Sequence, residues 1–170
     1  MLKIIGAVFI AGSALAMGVN AAEQLKRHAD DLSELIYALG IMKNEISLRL
    51  TPMRELTEKL SKETVGAVSE LFARCGEMLP ELGSRSFMSI WKESVEKTPL
   101  LLKKQEKDTL AELGAVLGRY DAAAQLKAID YCSARLEDFL KTAETDARSK
   151  GRTRTAAGLA VGLMLVIMFI

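Results

Sequence analysis

Hydrophobic and polar positions divide this chain into three parts. Apart from Lys3, every Lys, Arg, Asp and Glu lies between Glu23 and Arg154, whereas the runs Ile4–Ala22 and Thr155–Ile170 carry no charge. As helices these runs are roughly 28 Å and roughly 24 Å long, against a hydrocarbon thickness of about 30 Å. We therefore predict membrane-spanning helices over residues 1–22 and 155–170, with a polar domain over residues 23–154 between them.

Within the polar domain, apolar residues recur at helical spacing. The first series forms one seam that consists of Leu25, Leu32, Leu35, Leu39, Met42 and Ile46. Thr51-Pro52 predicts the end of that helix, and further breaks are expected near Pro80, before Pro99 and at Gly118. Asp121 suits the N-cap of a last helix that continues into the second apolar run. The pattern predicts an all-α protein, a compact six-helix antiparallel bundle flanked by N- and C-terminal transmembrane helices.

Basic residues flank both apolar runs on the side of the polar domain. Lys26 and Arg27 follow the first run, and the second is preceded by Arg148, Lys150, Arg152 and Arg154. The positive-inside rule then places the central domain in the cytoplasm, and the later cluster also suits contact with anionic lipid headgroups. A cleaved signal peptide is the alternative for the first run, since Val19-Asn20-Ala21 resembles a cleavage site.

Small residues recur within both apolar runs. Gly158 and Gly162 form a GxxxG pattern, and Ala7 and Ala11 share a face of the first run. Rows of small residues let membrane helices approach closely. This predicts packing of the spans with one another or with a partner, with a homo-oligomer as one option.

The chain lacks the usual signatures of enzymes and nucleic-acid-binding proteins. It has no P-loop motif, its single histidine excludes paired-histidine metal motifs, and its net charge is only +1. Cys75 and Cys132 are not spaced as a metal or redox motif and are expected to be buried free thiols. We therefore expect a protein that is not an enzyme, has no cofactor and does not bind nucleic acid.

Several ordered segments resemble one family. They are Met1-Leu2-Lys3-Ile4-Ile5-Gly6-Ala7, Lys43-Asn44-Glu45-Ile46, Thr51-Pro52-Met53-Arg54-Glu55-Leu56 and Leu117-Gly118-Arg119-Tyr120-Asp121 with Gln125. Together with Trp91 and the basic and apolar tail, they resemble the stage III sporulation protein AB family over essentially the whole chain.

The resemblance implies a structural subunit of the mother cell to forespore channel in the mother-cell-derived membrane around the forespore. It also implies a soluble domain similar to the six-helix cytoplasmic domains of type II secretion and pilus platform proteins. The expected partners are the channel ATPase, stage III sporulation protein AA, and other membrane subunits of the channel. For the ATPase surface we predict two patches, namely Glu45, Arg49, Arg54 and Glu55, and Arg119, Asp121 and Gln125.

Two alternatives remain beside a platform for an ATPase. One is a generic membrane-tethered helical scaffold without a motor partner, with self-association through the Leu25 to Ile46 seam as one option; burial of that seam inside the monomer would argue against it. The other is an extracytoplasmic domain, cleaved from a signal peptide and anchored by its C-terminal segment alone.

Overall fold

The computed structural model describes residues 2–117 and 121–169, and this part of the chain is all-α. It holds six α-helices, one short 3-10 helix at Leu79–Glu81 and no strand. The α-helices are α1 (Leu2–Arg49), α2 (Met53–Glu63), α3 (Gly66–Met78), α4 (Phe87–Lys97), α5 (Lys104–Leu113) and α6 (Ala122–Phe169). The prediction of six helices is confirmed.

The first and last helices are far longer than the other four. Each has 48 residues, and each runs without a break through a predicted boundary, the one after residue 22 in α1 and the one before residue 155 in α6. The predicted continuation of the last helix into the second apolar run is therefore confirmed.

Nowhere in the described ranges does a helix combine the length and apolar character needed to traverse a bilayer. The spans proposed over residues 1–22 and 155–170 have no support from this finding and stay a prediction.

The chain divides into two compact units. One combines Met1–Ala29 with Lys141–Ile170, and the other is Asp30–Leu140. The second unit contains α2 to α5 together with the adjoining parts of α1 and α6. Within it, an ion pair of 2.6 Å between Lys43 Nζ and Asp130 Oδ1 connects α1 to α6.

The core of the second unit is built from the apolar positions that the spacing predicts. From α1 it takes Leu32, Leu35, Leu39, Met42 and Ile46, all buried. The shorter helices and α6 add Leu56, Leu60, Val68, Leu71, Phe72, Ile90, Trp91, Leu110, Ile129 and Leu136. Because the α1 seam is buried inside the monomer from Leu32 to Ile46, this part of it is not available for pairing with another copy. This burial argues against self-association through the seam, whereas a scaffold without a motor partner stays a prediction.

Trp91 is the largest side chain in this core. Its indole Nε1 donates a 2.7 Å hydrogen bond to the Leu110 carbonyl oxygen, and its ring centroid lies 5.9 Å from that of Phe72. A Cβ atom added to Gly114 would lie 2.5 Å from Trp91 Cδ1. A glycine at this position therefore lets the end of α5 pack directly against the indole.

The fifth helix is shorter than expected. The apolar series through Leu117 predicts a helix that ends at Gly118, but α5 ends at Leu113 and Gly114 is its C-cap. Leu117 is still buried, and it lies in the turns that follow. Gly118 lies outside the described residues.

Candidate functional site

The first predicted patch lies at the corner where α1 ends and α2 begins. Leu50 follows α1 with a φ of 50°, a left-handed conformation that a leucine rarely adopts. Pro52 is the N-cap of α2, with φ −57°. Since proline has fixed φ and no N–H to donate, the chain leaves the corner in a well-defined direction.

Glu45 stabilises this corner from the inside. Its carboxylate is largely buried and accepts a 2.7 Å hydrogen bond from Thr51 Oγ1 and another of 2.7 Å from Lys59 Nζ. The bonds from Lys59 and Thr51 favour the ionised form and lower the pKa of Glu45 below its ordinary value. Glu45 therefore joins the end of α1 to the corner and to α2, and little of it faces solvent.

The other members of the first patch are exposed. The side chain of Arg49 is 70% exposed, and its guanidinium lies 3.7 Å from the Glu45 carboxylate. Arg54 and Glu55 lie in the first turn of α2 and are also exposed. The fold thus brings these charged groups together at one corner, with Glu45 beneath them.

The second patch contains a helix cap. Asp121 Oδ1 accepts a 3.1 Å hydrogen bond from the Ala124 N–H, so the predicted N-cap of α6 is confirmed. Gln125 is buried, which leaves Asp121 as the exposed member among the described residues. Arg119 lies outside the described residues.

Two exposed leucines at the corner are absent from the predicted patches. Leu48 is 80% exposed and Leu50 is 73% exposed. A signal for Leu48 was present in the sequence, because it lies off the helical face of the seam that ends at Ile46. The exposure of Leu50 depends on how the chain turns, which the periodicity does not report.

A groove between α2 and α3 lies next to this corner. It encloses about 250 Å³ and is lined by Arg54, Thr57, Glu58, Ser61, Phe72, Ala73, Gly76 and Glu77. The two helices approach closely here, since a Cβ atom on Gly76 would lie 3.1 Å from Thr57 Oγ1. Sequence reasoning missed the groove because its walls come from two helices whose packing no local motif specifies.

Burial keeps both cysteines protonated. Both are free and buried, as predicted. Burial raises the pKa of each thiol to about 12, so neither forms a thiolate at neutral pH. In the described part of the chain, no group of three or more His, Cys, Asp or Glu side chains is arranged to hold a metal ion.

The residues predicted to meet lipid or to pack in the membrane lie toward the ends of the long helices. Arg148 and Lys150 are exposed, and Lys150 Nζ lies 2.8 Å from Asp146 Oδ1. The side chains of the remaining members lie outside the described residues, and these are Arg152, Arg154, Ala7, Ala11, Gly158 and Gly162.

Comparison with known proteins now decides the family. The family model described as "Stage III sporulation protein AB" matches residues 3–170. The chain belongs to this family. The stage III sporulation protein AB of Bacillus subtilis (strain 168) is 29% identical over 170 residues, covering 99% of each chain.

A solved structure of a family member has a similar fold. The structure titled "Stage III sporulation protein AB (SpoIIIAB)" aligns with a TM-score of 0.65 at 29% identity, covering 71% of this chain and 96% of its own. The sequence resemblance to the stage III sporulation protein AB family is thereby confirmed.

Proposed function

We propose that this protein is a non-enzymatic membrane component of the sporulation channel between mother cell and forespore, and that it is the platform on which the channel ATPase docks. One observation carries the proposal: α1, which begins in an apolar terminal run, ends directly at the corner that presents Arg49, Arg54 and Glu55 to solvent.

The membrane part of the proposal rests on the distribution of charge. The two apolar runs would each cross the membrane, with the basic flanks Lys26-Arg27 and Arg148 to Arg154 on the cytoplasmic side. This gives a two-span protein with a cytoplasmic central domain, located in the mother-cell-derived membrane around the forespore. Intact-mass measurement of the membrane-bound protein tests the cleaved-signal alternative, which requires loss of the N-terminal run.

The docking surface is proposed at the α1–α2 corner. Arg49, Arg54 and Glu55 would contact the ATPase, since exposed charges of both signs provide orientation and partner specificity. Glu45 would act indirectly, because its carboxylate is occupied by Thr51 and Lys59 and fixes the backbone that carries the exposed charges. Asp121 and Arg119 would extend the surface, with Gln125 beneath it.

The mechanism we infer is mechanical coupling. The ATPase would grip the corner and move it, and α1 and α6 would pass that movement to the terminal runs. A continuous helix transmits displacement along its axis better than a jointed one, since bending it at one point requires breaking backbone hydrogen bonds.

The test is binding of purified stage III sporulation protein AA to the full-length protein in lipid nanodiscs, with and without ATP. We expect specific binding that falls about tenfold or more in the double variant Arg54→Glu, Glu55→Arg, as for loss of charged contacts at an interface. The matched control is Lys104→Glu, Asp108→Lys, which reverses an exposed ion pair of 3.2 Å on α5. Absence of binding by the folded wild type would contradict the platform role.

A further inference from the structure

The corner carries apolar surface that no described contact covers. Leu48 and Leu50, together called the leucine knob, are 80% and 73% exposed, which places both among the three most exposed large hydrophobic side chains in the described ranges. Scattered exposed leucines are ordinary on protein surfaces. These two are adjacent at one corner, and the flanking Arg49 side chain is also largely exposed.

The backbone beneath the knob is held in place despite strain. Leu50 has a φ of 50°, where glycine or asparagine is the usual residue after a helix. The strain persists because Glu45 binds Thr51 on one side and Pro52 starts α2 on the other. A leucine held in this conformation and pointing to solvent is a preformed projection, and local strain of this kind concentrates at functional positions.

The α2–α3 groove offers the complementary shape and charge. Its lining includes the apolar surface of Phe72, Ala73 and Gly76, and its volume is about 250 Å³. Two carboxylates, Glu58 and Glu77, line it beside a single cation, Arg54. Glu58 also binds Lys62 Nζ at 2.7 Å, so Glu77 is the carboxylate available to a second cation.

We propose that two copies of this protein associate by exchange, with the leucine knob of each inserted into the α2–α3 groove of the other. Arg49 beside the knob would then pair with Glu77 of the second copy. Arg54 lines the groove and also lies just after the knob, so both halves of the contact are on one part of the surface. Two copies related by a two-fold axis would form both contacts at once.

A second copy fits this surface better than a lipid headgroup layer. A fluid lipid surface requires no particular backbone conformation at Leu50, and the carboxylates of Glu55 and Glu77 oppose binding to anionic lipid. The contact is small and therefore weak in solution, but copies confined to one membrane meet at a high effective concentration. Because Arg54 also belongs to the proposed ATPase surface, self-association and ATPase docking would compete.

The experiment is thiol crosslinking between copies of the full-length protein in liposomes, without any ATPase, so its result is independent of the proposed function. One copy carries Leu48→Cys and the other Ala73→Cys, both at exposed helical positions. The native cysteines are buried, and burial raises the pKa of each to about 12, so we expect them not to crosslink. A control mixture pairs Ala73→Cys with Tyr131→Cys, an exposed position on α6.

We expect the knob and groove pair to crosslink about tenfold faster than the control pair, because a bound complex raises the effective concentration of the two thiols. Glu77→Arg in the groove copy should slow this reaction, and Arg49→Glu in the knob copy should restore it. Crosslinking no faster than the control would overturn the proposal. Equally fast pairing of two Leu48→Cys copies would overturn it too, as this indicates a non-specific apolar contact.

Discussion

Single residues determine the shape of the α1–α2 corner and the packing of the core in the second compact unit. Leu50 adopts a left-handed conformation, Glu45 binds Thr51 and Lys59, and Gly114 leaves room for Trp91. Each of these features raises or lowers the free energy of unfolding, and a single substitution can measure its effect.

Leu50→Gly should stabilise the protein. The left-handed conformation costs a leucine about 1–2 kcal/mol, part of which the greater freedom of glycine in the unfolded chain offsets. The free energy of unfolding should therefore rise by about 0.5–1 kcal/mol in a urea titration of the full-length protein. Leu50→Ala keeps the strain and serves as the control, so an equal gain in both variants would contradict the explanation.

Gly114→Ala should destabilise the protein. The added methyl group would lie 2.5 Å from Trp91 Cδ1 and 2.9 Å from Trp91 Cβ, so the buried indole or the end of α5 must move. Overpacking of this kind costs about 1–3 kcal/mol in unfolding free energy. Gly40→Ala is the matched control, because no atom lies within 4 Å of its added methyl group and alanine favours the helix by about 0.5–1 kcal/mol.

Glu45 should make the free energy of unfolding depend on pH in the acidic range. Its pKa in the folded protein is lowered from an ordinary value of 4.5, so the unfolded chain takes up a proton at higher pH than the folded protein does. The contribution of Glu45 is therefore complete above that value and is lost as pH falls through the lower folded-state pKa. Glu45→Gln should be less stable than wild type at pH 7, and the difference should shrink below about pH 4.5. A difference that stays constant down to pH 2 would contradict this.

At the scale of elements, hydrogen bonds to side chains at the helix N-termini fix where the helices begin. Ser86 Oγ accepts a hydrogen bond from the Ser89 N–H at the start of α4, and Asp121 does the same for Ala124 at the start of α6. In α5, Glu106 accepts a 2.6 Å hydrogen bond from the Lys103 N–H. These bonds satisfy backbone donors that a helix leaves unpaired at its first turn.

Asp121 belongs both to a cap and to the proposed ATPase surface, and two substitutions separate these roles. Asp121→Ala should lower the free energy of unfolding by about 1 kcal/mol, whereas Asp121→Asn retains the cap and should leave it nearly unchanged. If Asp121 also contacts the ATPase through its charge, both variants should bind more weakly. Unchanged binding by Asp121→Asn would restrict the residue to capping.

At the scale of the whole molecule, the long helices α1 and α6 are the feature that mechanical coupling requires. Each continues without interruption from the second compact unit into the first. Docking and coupling are separate properties under this proposal, because docking uses the corner whereas coupling uses the helices.

A flexible insertion should therefore abolish coupling and leave docking intact. We expect Gly-Ser-Gly inserted after Ala22, within α1, to leave ATPase binding in nanodiscs unchanged. Spore formation should be lost when this variant replaces the native protein in a spore-forming host. An alanine triplet inserted at the same site keeps the helix and controls for added length. Full spore formation with the flexible insertion would contradict mechanical coupling.

The sequence by itself determined the features that depend on neighbouring residues. Apolar spacing predicts the helices and the buried seam from Leu32 to Ile46, Asp121 before a helical pattern predicts an N-cap, and Pro52 predicts the break after α1. These predictions are confirmed because helical periodicity, capping and proline geometry act within a few residues of the chain.

Only the tertiary structure decided the features that depend on distant residues. It placed Glu45 against Lys59 and largely out of solvent, ended α5 at Leu113 where Gly114 meets Trp91, exposed Leu50 at a strained corner, and formed the groove between α2 and α3. Each of these results from side chains far apart in sequence competing for the same space or the same hydrogen-bond partner. Periodicity reports which face of a helix is buried, whereas packing alone decides what that face meets.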